Sequence, residues 1–250
     1  MRIGFFGGSF DPPHRGHLAL ALAAADQFLL DKVLLAPVGV QALKQNQPVT
    51  AFPHRYAMIA LAAQADPRLL PSLLDAPLRD VPQKEYPSHA QPDSSNNIPN
   101  YTIDTLTRLR QTAGGQDSFF TLLGADSILG IRNWHQPERL LAQCDWIVAA
   151  RPRFEVGDAL ATATAALPVG IRVVEDRDPV HGAYLRLLHA SGANTRVWFL
   201  PHLHEDISAT ALRAAIHAGT WDASLVPAPV AEYIRKTGVY GTMCGTGTKH

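Results

Sequence analysis

Eleven residues near the start of the chain, Gly7-Gly8-Ser9-Phe10-Asp11-Pro12-Pro13-His14-Arg15-Gly16-His17, constrain the fold more than any other stretch. Before them, Arg2 to Phe6 is a short apolar run with two aromatics, which predicts a buried first strand. After them, Gly16 to Leu30 predicts a helix, with Leu18, Leu22, Ala25 and Leu29 on one face of an alanine-rich segment. Lys32 to Pro37 then reads as a second buried strand. Strand, glycine turn, helix and strand in that order imply a right-handed parallel crossover.

The alternation continues. A helix is expected from Pro53, a strand at Leu69–Leu74, and a helix holding Ile103, Leu106 and Leu109 that Thr102 can cap, with Asp104 in its first turn. Strands are expected at Ser118–Leu123, Trp146–Ala150, Ile171–Val174 and Val197–Leu200. Ser208 is positioned to cap a helix that Gly219 stops, and Pro227–Lys236 forms a last helix closed by Gly238. This pattern specifies an α/β fold with a parallel sheet, in a single domain over 1–240. Two segments lack apolar periodicity and are expected as mobile insertions, near 84–100 and 175–194; 241–250 is expected to fray.

Composition removes several functions. Lys+Arg and Asp+Glu both number 22, so the net charge is zero, which argues against a nucleic-acid binder. Two cysteines cannot make a disulfide framework or a four-cysteine metal site and fit a reducing compartment. No apolar run approaches a membrane span, and Gly7-Gly8-Ser9 cuts the first one too short for a secretory signal; the expected location is the cytoplasm.

Chemistry concentrates at two helix starts. In an open α/β sheet, ligands bind at the carboxyl ends of strands. The glycines let backbone approach a ligand and leave N–H groups free for phosphate oxygens. His14 and His17, three apart, share one side of the first helical turn at the positive end of its dipole. The plainer reading is a tight turn with two surface histidines. A zinc site lacks a third ligand, and the dinucleotide pattern GxGxxG is absent. The second start is Asp206-Ile207-Ser208-Ala209-Thr210-Ala211-Leu212-Arg213, where hydroxyls, free N–H groups and a guanidinium could take a phosphate; an ordinary serine cap with a solvated Arg213 is the alternative.

The first motif resembles the GG-[ST]-F-D-P-x-H-x-G-H signature of the nucleotidyltransferase superfamily, and Ile207–Arg213 resembles its I-S-[ST]-T-x-I-R motif. Pro99–Leu106, Gly124-Ala125-Asp126, Trp134, Arg151-Pro152 and Lys236-Thr237-Gly238-Val239-Tyr240 are similar to landmarks of the bacterial nicotinate-nucleotide adenylyltransferases. The resemblance covers about 1–240 outside the two irregular segments. It departs where the family carries P-P-H-K, of which only Lys44 remains, at Asn100 in place of serine, and at Arg153 in place of glycine.

The resemblance implies a Rossmann-like parallel sheet flanked by helices on both faces, and adenylyl transfer from ATP to nicotinate mononucleotide, giving nicotinate adenine dinucleotide and pyrophosphate in NAD biosynthesis. Other acceptors, nicotinamide mononucleotide or phosphopantetheine, and a non-catalytic nucleotide sensor are the competing readings. By the same resemblance His14, His17, Lys44 and Arg213 are the catalytic set. Gly7, Gly8, Ser9, Phe10, Gly124, Asp126, Ile207, Ser208 and Thr210 join them around ATP, and Tyr101, Thr102, Trp134 and Arg151 hold the nicotinate nucleotide. Mg²⁺ is implied with ATP, held mainly by phosphate oxygens and water rather than by protein ligands.

Overall fold

The computed structural model describes residues 1–42, 49–77, 98–149, 161–162, 164–200 and 207–241. Eight strands among them form one sheet: β1 (Arg2–Gly8), β2 (Lys32–Pro37), β3 (Leu69–Pro71), β4 (Ser118–Gly124), β5 (Asp145–Ala149), β6 (Arg172–Asp178), β7 (Gly182–Leu188) and β8 (Asn194–Leu200). Their spatial order is β3-β2-β1-β4-β5-β8-β7-β6. From β3 to β8 every pairing is parallel, and β7 and β6 add an antiparallel extension.

The helices named among the described residues are α1 (Arg15–Gln27), α2 (Phe52–Ala62), α3 (Thr102–Thr112), α4 (Ala125–Leu129), α5 (Pro137–Leu141), α6 (Ala209–His217) and α7 (Ala228–Thr237), with helical residues also at 161–162 and 164–166. One face of the sheet buries Phe6, Phe120, Leu122, Ile147, Trp198 and Leu200 against α1, α2, α6 and α7. The other buries Phe5, Leu123, Trp146, Val148, Leu185 and Phe199 against α3, α4 and α5. Apolar residues on both faces explain why these strands read as continuous hydrophobic runs. The Trp146 indole, with no exposed surface, donates to the Leu141 carbonyl at 3.3 Å, so its one polar atom is satisfied in the core.

The chain steps from β1 to β2 and β3 on one side, then returns through α3 to β4 on the other side of β1. That reversal opens a crevice at the carboxyl ends of β1 and β4. Phe5 pairs with Thr121, so Gly8 and Gly124, each three residues on, end level with one another.

Three expectations are corrected. Segment 175–194, read as an irregular insertion, is most of β6, the turn and β7, packed into the sheet. The first helix ends at Gln27; Leu29 lies beyond it with φ 48° and is 75% exposed rather than on the buried face. Tyr101, not Thr102, is the N-cap of α3, and Thr102 is its first helical residue. The expected caps at Ser208, Gly219 and Gly238 are present: Ser208 Oγ accepts from the Ala211 amide, and both glycines have positive φ. Residues 78–97 and 242–250 lie outside the described residues, and with them nearly all of the first expected insertion and of the tail.

Candidate active site

The loop after β1 is shaped from outside. Arg55, on α2 and only 1% exposed, donates from Nη1 to the Ser9 carbonyl at 2.9 Å and from Nε to the Thr50 carbonyl at 2.7 Å. Burial lowers its pKa, and Asp11 partly offsets that. Asp11, equally buried, accepts at Oδ1 from the Tyr240 hydroxyl at 2.7 Å and at Oδ2 from the Thr50 amide at 3.1 Å. Arg213 Nη1 donates to the Asp11 carbonyl at 2.8 Å and lies 3.9 Å from Oδ2. Segments distant in sequence thus fix one short loop, whose backbone cannot rely on a helix or ladder for its shape. Phe10 takes φ 48°, a sparsely populated conformation for a bulky residue. Its buried ring packs edge-on against Phe6 at 5.2 Å and His17 at 4.9 Å, which holds the turn in place.

His14 is the N-cap of α1, with extended backbone. Its ring stacks on that of His17 at 3.6 Å. The His14 amide donates to His17 Nδ1 at 3.1 Å. An accepting Nδ1 leaves Nε2 as the protonated nitrogen of the neutral ring, so His17 is set up to donate from Nε2–H. His14 Nδ1 is buried with no protein partner. Burial lowers the His14 pKa to about 4. His17 is held well below its ordinary value by burial, then by His14. Both rings are therefore neutral at pH 7. An anion at this helix start meets N–H dipoles rather than an imidazolium pair.

Beside this loop a cavity of about 520 Å³ opens at the β1–β4 crevice. Gly7, Gly8 and Ser9 form one wall, and Tyr101, Thr102, Trp134 and His135 face it. The Tyr101 and His135 rings stack at 4.3 Å. The N–H groups of Thr102 and Ile103, in the first turn of α3, have no use within the helix. A Cβ on Gly7 would meet the Phe5 ring at 3.1 Å, a tight approach that would press on β1's own core residue, so glycine suits this wall of the cavity.

Asn100 joins the two sides of this cavity. Its Oδ1 accepts from the Val40 amide at 2.8 Å, its Nδ2 donates to the Ala76 carbonyl at 3.1 Å, and its own amide donates to the Val40 carbonyl at 3.0 Å. A serine hydroxyl is too short to span both partners, which gives the departure at this position a structural role. Gln41 Nε2 donates to Ser9 Oγ, linking the segment after β2 to the glycine loop. Asp75, 4% exposed, lines the same cavity; its Oδ1 accepts from Thr105 Oγ1, and burial raises its pKa to about 6.

Of the residues singled out by sequence, Gly7, Gly8, Ser9, Tyr101, Thr102 and Trp134 meet on this one cavity. His14 ends the loop that continues from it and His17 lies in the first turn of α1, while Gly124 and Asp126 stand at the end of the neighbouring strand β4 and the start of α4. Arg213 reaches that loop through Asp11, while Thr210 Oγ1 accepts from Arg213 Nη2 at 3.4 Å and Ile207 and Ser208 precede the helix. Phe10 offers backbone only, its ring being core. Lys44 and Arg151 lie outside the described residues. Asp75, Gln41, Asn100, Arg55 and Tyr240 were not expected to build the site. Only the unusual asparagine and the K-x-G-x-Y ending signalled two of them.

The sequence pattern of the cytidylyltransferase-like family matches residues 5–215. A Geobacter metallireducens protein named "Probable nicotinate-nucleotide adenylyltransferase" is 32% identical over 240 residues, 96% of this chain and 98% of that one. A Pseudomonas aeruginosa protein of the same name is 34% identical over 241 residues, 96% and 97% of the two chains. Among solved structures, the Plasmodium falciparum nicotinic acid mononucleotide adenylyltransferase complexed with NaAD superposes with a TM-score of 0.62 at 17% identity, covering 96% of this chain and 97% of that one. The last likeness is one of fold.

Proposed function

The chain belongs to the cytidylyltransferase-like family, among the nicotinate-nucleotide adenylyltransferases, and from that premise we propose that it transfers the adenylyl group of ATP to nicotinate mononucleotide. The observation that carries the reading is the continuity of the stacked His14–His17 loop with a cavity lined by Tyr101, Thr102 and Trp134. A phosphate oxygen of the acceptor attacks the α-phosphorus, and the bond to the bridging oxygen breaks to release pyrophosphate. The nucleophile is already anionic, so no general base is needed; catalysis is positioning and stabilisation of charge.

His17 donates from Nε2–H to the α-phosphoryl oxygens, and His14 faces the triphosphate. Arg213, with Lys44 as its partner, neutralises the departing pyrophosphate. Backbone at Gly8, Ser9 and Phe10 faces the α-phosphate, Gly7 lies beside it, and Asp126, after Gly124, accepts from a ribose. Ile207, Ser208 and Thr210 offer the amino end of α6 to phosphate. Trp134 stacks on the pyridine ring, Tyr101 and Thr102 present N–H groups to its carboxylate, and Arg151 serves the same end. Nucleotidyltransferases of this kind generally use a divalent cation with ATP. We read that cation as Mg²⁺, which would arrive with the triphosphate and supply charge neutralisation there.

No helix among the described residues is long and apolar enough to cross a membrane. We propose the cytoplasm, where ATP is at hand, as the place of this reaction.

The test is pyrophosphate release with nicotinate mononucleotide, nicotinamide mononucleotide and phosphopantetheine side by side. Nicotinate mononucleotide should lead by at least ~10²-fold in kcat/KM, about 2.7 kcal/mol. Equal constants for the two pyridine nucleotides would refute the donor-lined acceptor pocket, and no release with any acceptor would refute adenylyl transfer.

A further inference from the structure

Asp75 is the one buried carboxylate among the described residues lining the proposed acceptor cavity, and none of the described cations forms an ion pair with it, although Arg108 acts on it from further off. Its Oδ1 takes the Thr105 hydroxyl. Its Oδ2 lies 3.4 Å from where a Cβ on Gly7 would stand, at the cavity wall. Arg108, one turn further along α3, spends Nη2 on the Leu74 carbonyl at 2.7 Å and Thr105 Oγ1 at 3.3 Å, and makes no ion pair with Asp75. Thr105, the partner of Asp75, lies three residues and about 4.5 Å of helix rise from Thr102, whose N–H would receive a pyridine carboxylate, and both Asp75 and Thr102 line the cavity.

We propose that Asp75 is a specificity-determining residue of this pocket: in its acid form it donates a hydrogen bond to the acceptor's carboxylate, so that the anionic acceptor binds with uptake of one proton. The inference rests on reading the cavity as the acceptor site. Two carboxylates cannot both stay ionised side by side away from water, so one takes a proton. Asp75 is the ready recipient, because burial already brings its pKa to about 6 against the opposing pull of Thr105 and Arg108. With the amide of nicotinamide mononucleotide the balance reverses. An ionised Asp75 can accept from the amide NH₂, and no proton is needed. Selectivity for nicotinate therefore falls as pH rises.

Among the described residues the charged and titratable groups around Asp75 are few. Arg108 comes from α3, β1 brings only Phe5 and Gly7, and Tyr101 and His135 stand elsewhere on the cavity wall. His135 is the rival, since its protonation would also take up a proton. The phosphate of the acceptor titrates too, but both pyridine nucleotides carry it, so it cancels in their ratio.

The experiment measures KM for both acceptors from pH 6.5 to 8.5. It also measures proton uptake on binding, by calorimetry in two buffers of different ionisation heat. For the wild-type protein, KM for nicotinate mononucleotide relative to nicotinamide mononucleotide should rise close to ~10-fold per pH unit above pH 7. Asp75→Asn should flatten that ratio and abolish the extra proton uptake. Thr105→Val removes the hydroxyl that favours the ionised form and should move the onset of the rise to higher pH. A pH-independent ratio in the wild type, proton uptake persisting in Asp75→Asn, or an unmoved onset in Thr105→Val would each overturn the proposal while leaving adenylyl transfer intact. Absence of pyrophosphate release with both nucleotides would remove the reading on which it rests, and the proposal with it.

Discussion

Asp75 makes a second prediction, on stability, which needs no substrate. Its carboxyl titrates at about 6 in the folded chain against an ordinary value of 3.8, because burial penalises the anion more than Thr105 and Arg108 favour it. Folding therefore binds a proton between those values. Stability from this group is full below pH 3.8 and is lost as pH rises through 6. At about 1.4 kcal/mol per tenfold, the loss by pH 7 is about 3 kcal/mol. Asp75→Asn keeps the shape and an oxygen to accept from Thr105 but has no charge to bury. It should be more stable than the wild type by up to ~3 kcal/mol at pH 7, with the difference vanishing below pH 4.

The other acids of the chain titrate alike in both proteins and cancel in the comparison. Urea unfolding at pH 4, 5.5 and 7, followed by fluorescence of the buried Trp146 and Trp198, gives the difference directly. A variant less stable at pH 7, or a gap that does not change with pH, would show that Asp75 is stabilised as an anion and would refute the burial argument.

The histidine pair predicts the opposite slope: His14 falls from 6.5 to about 4 on folding, so its charging costs about 3 kcal/mol as pH drops through that window. His14→Gln should gain that much relative to the wild type between pH 6.5 and pH 4 in the same unfolding assay, and a constant difference would refute the depressed value. His17→Ala should lower kcat by at least ~10²-fold and change ATP affinity less, since the contact strengthens in the transition state; an unchanged kcat would end its assignment. Tyr240→Phe removes the 2.7 Å bond to Asp11 and should cost about 1.5–3 kcal/mol of stability and raise KM for ATP more than for the acceptor; equal rises would show a general loosening instead. Thr102→Pro removes one N–H at a position where proline fits, since Tyr101 before it is extended at φ −104° and ψ 131°. The preference for nicotinate over nicotinamide should shrink with little change in melting temperature, and an intact preference would refute the donor role.

Much of the fold was legible because its strands are buried on both faces and its helices carry one apolar stripe. The antiparallel hairpin was missed although β7 does alternate, with Leu185 and Leu187 fully buried and Arg186 between them. Its partner β6 hid the signal. It is the edge strand of the sheet, and Arg172, Glu175, Asp176, Arg177 and Asp178 give it the charge that keeps an open edge from pairing with other chains. Polarity there marks a position in the sheet, whereas in isolation it reads as a loop.

The two halves of the site differ in legibility for a related reason. The phosphate half is built from backbone and the first turn of one helix, so a contiguous run from Gly7 to His17 carries its recognisable pattern, while the Arg55, Arg213 and Tyr240 contacts that hold the loop come from elsewhere in the chain. The acceptor half is assembled from residues 38–42, Asp75, 100–102 and 134–136, which meet only because two crossovers lie side by side. A Cβ on Gly39 would stand 2.5 Å from the Pro77 nitrogen, which shows how closely those crossovers pack. No spacing along the chain encodes that contact. A carboxylate placed there, such as Asp75, looks in sequence like any other loop acid, and its chemistry follows from burial that only the assembled fold imposes.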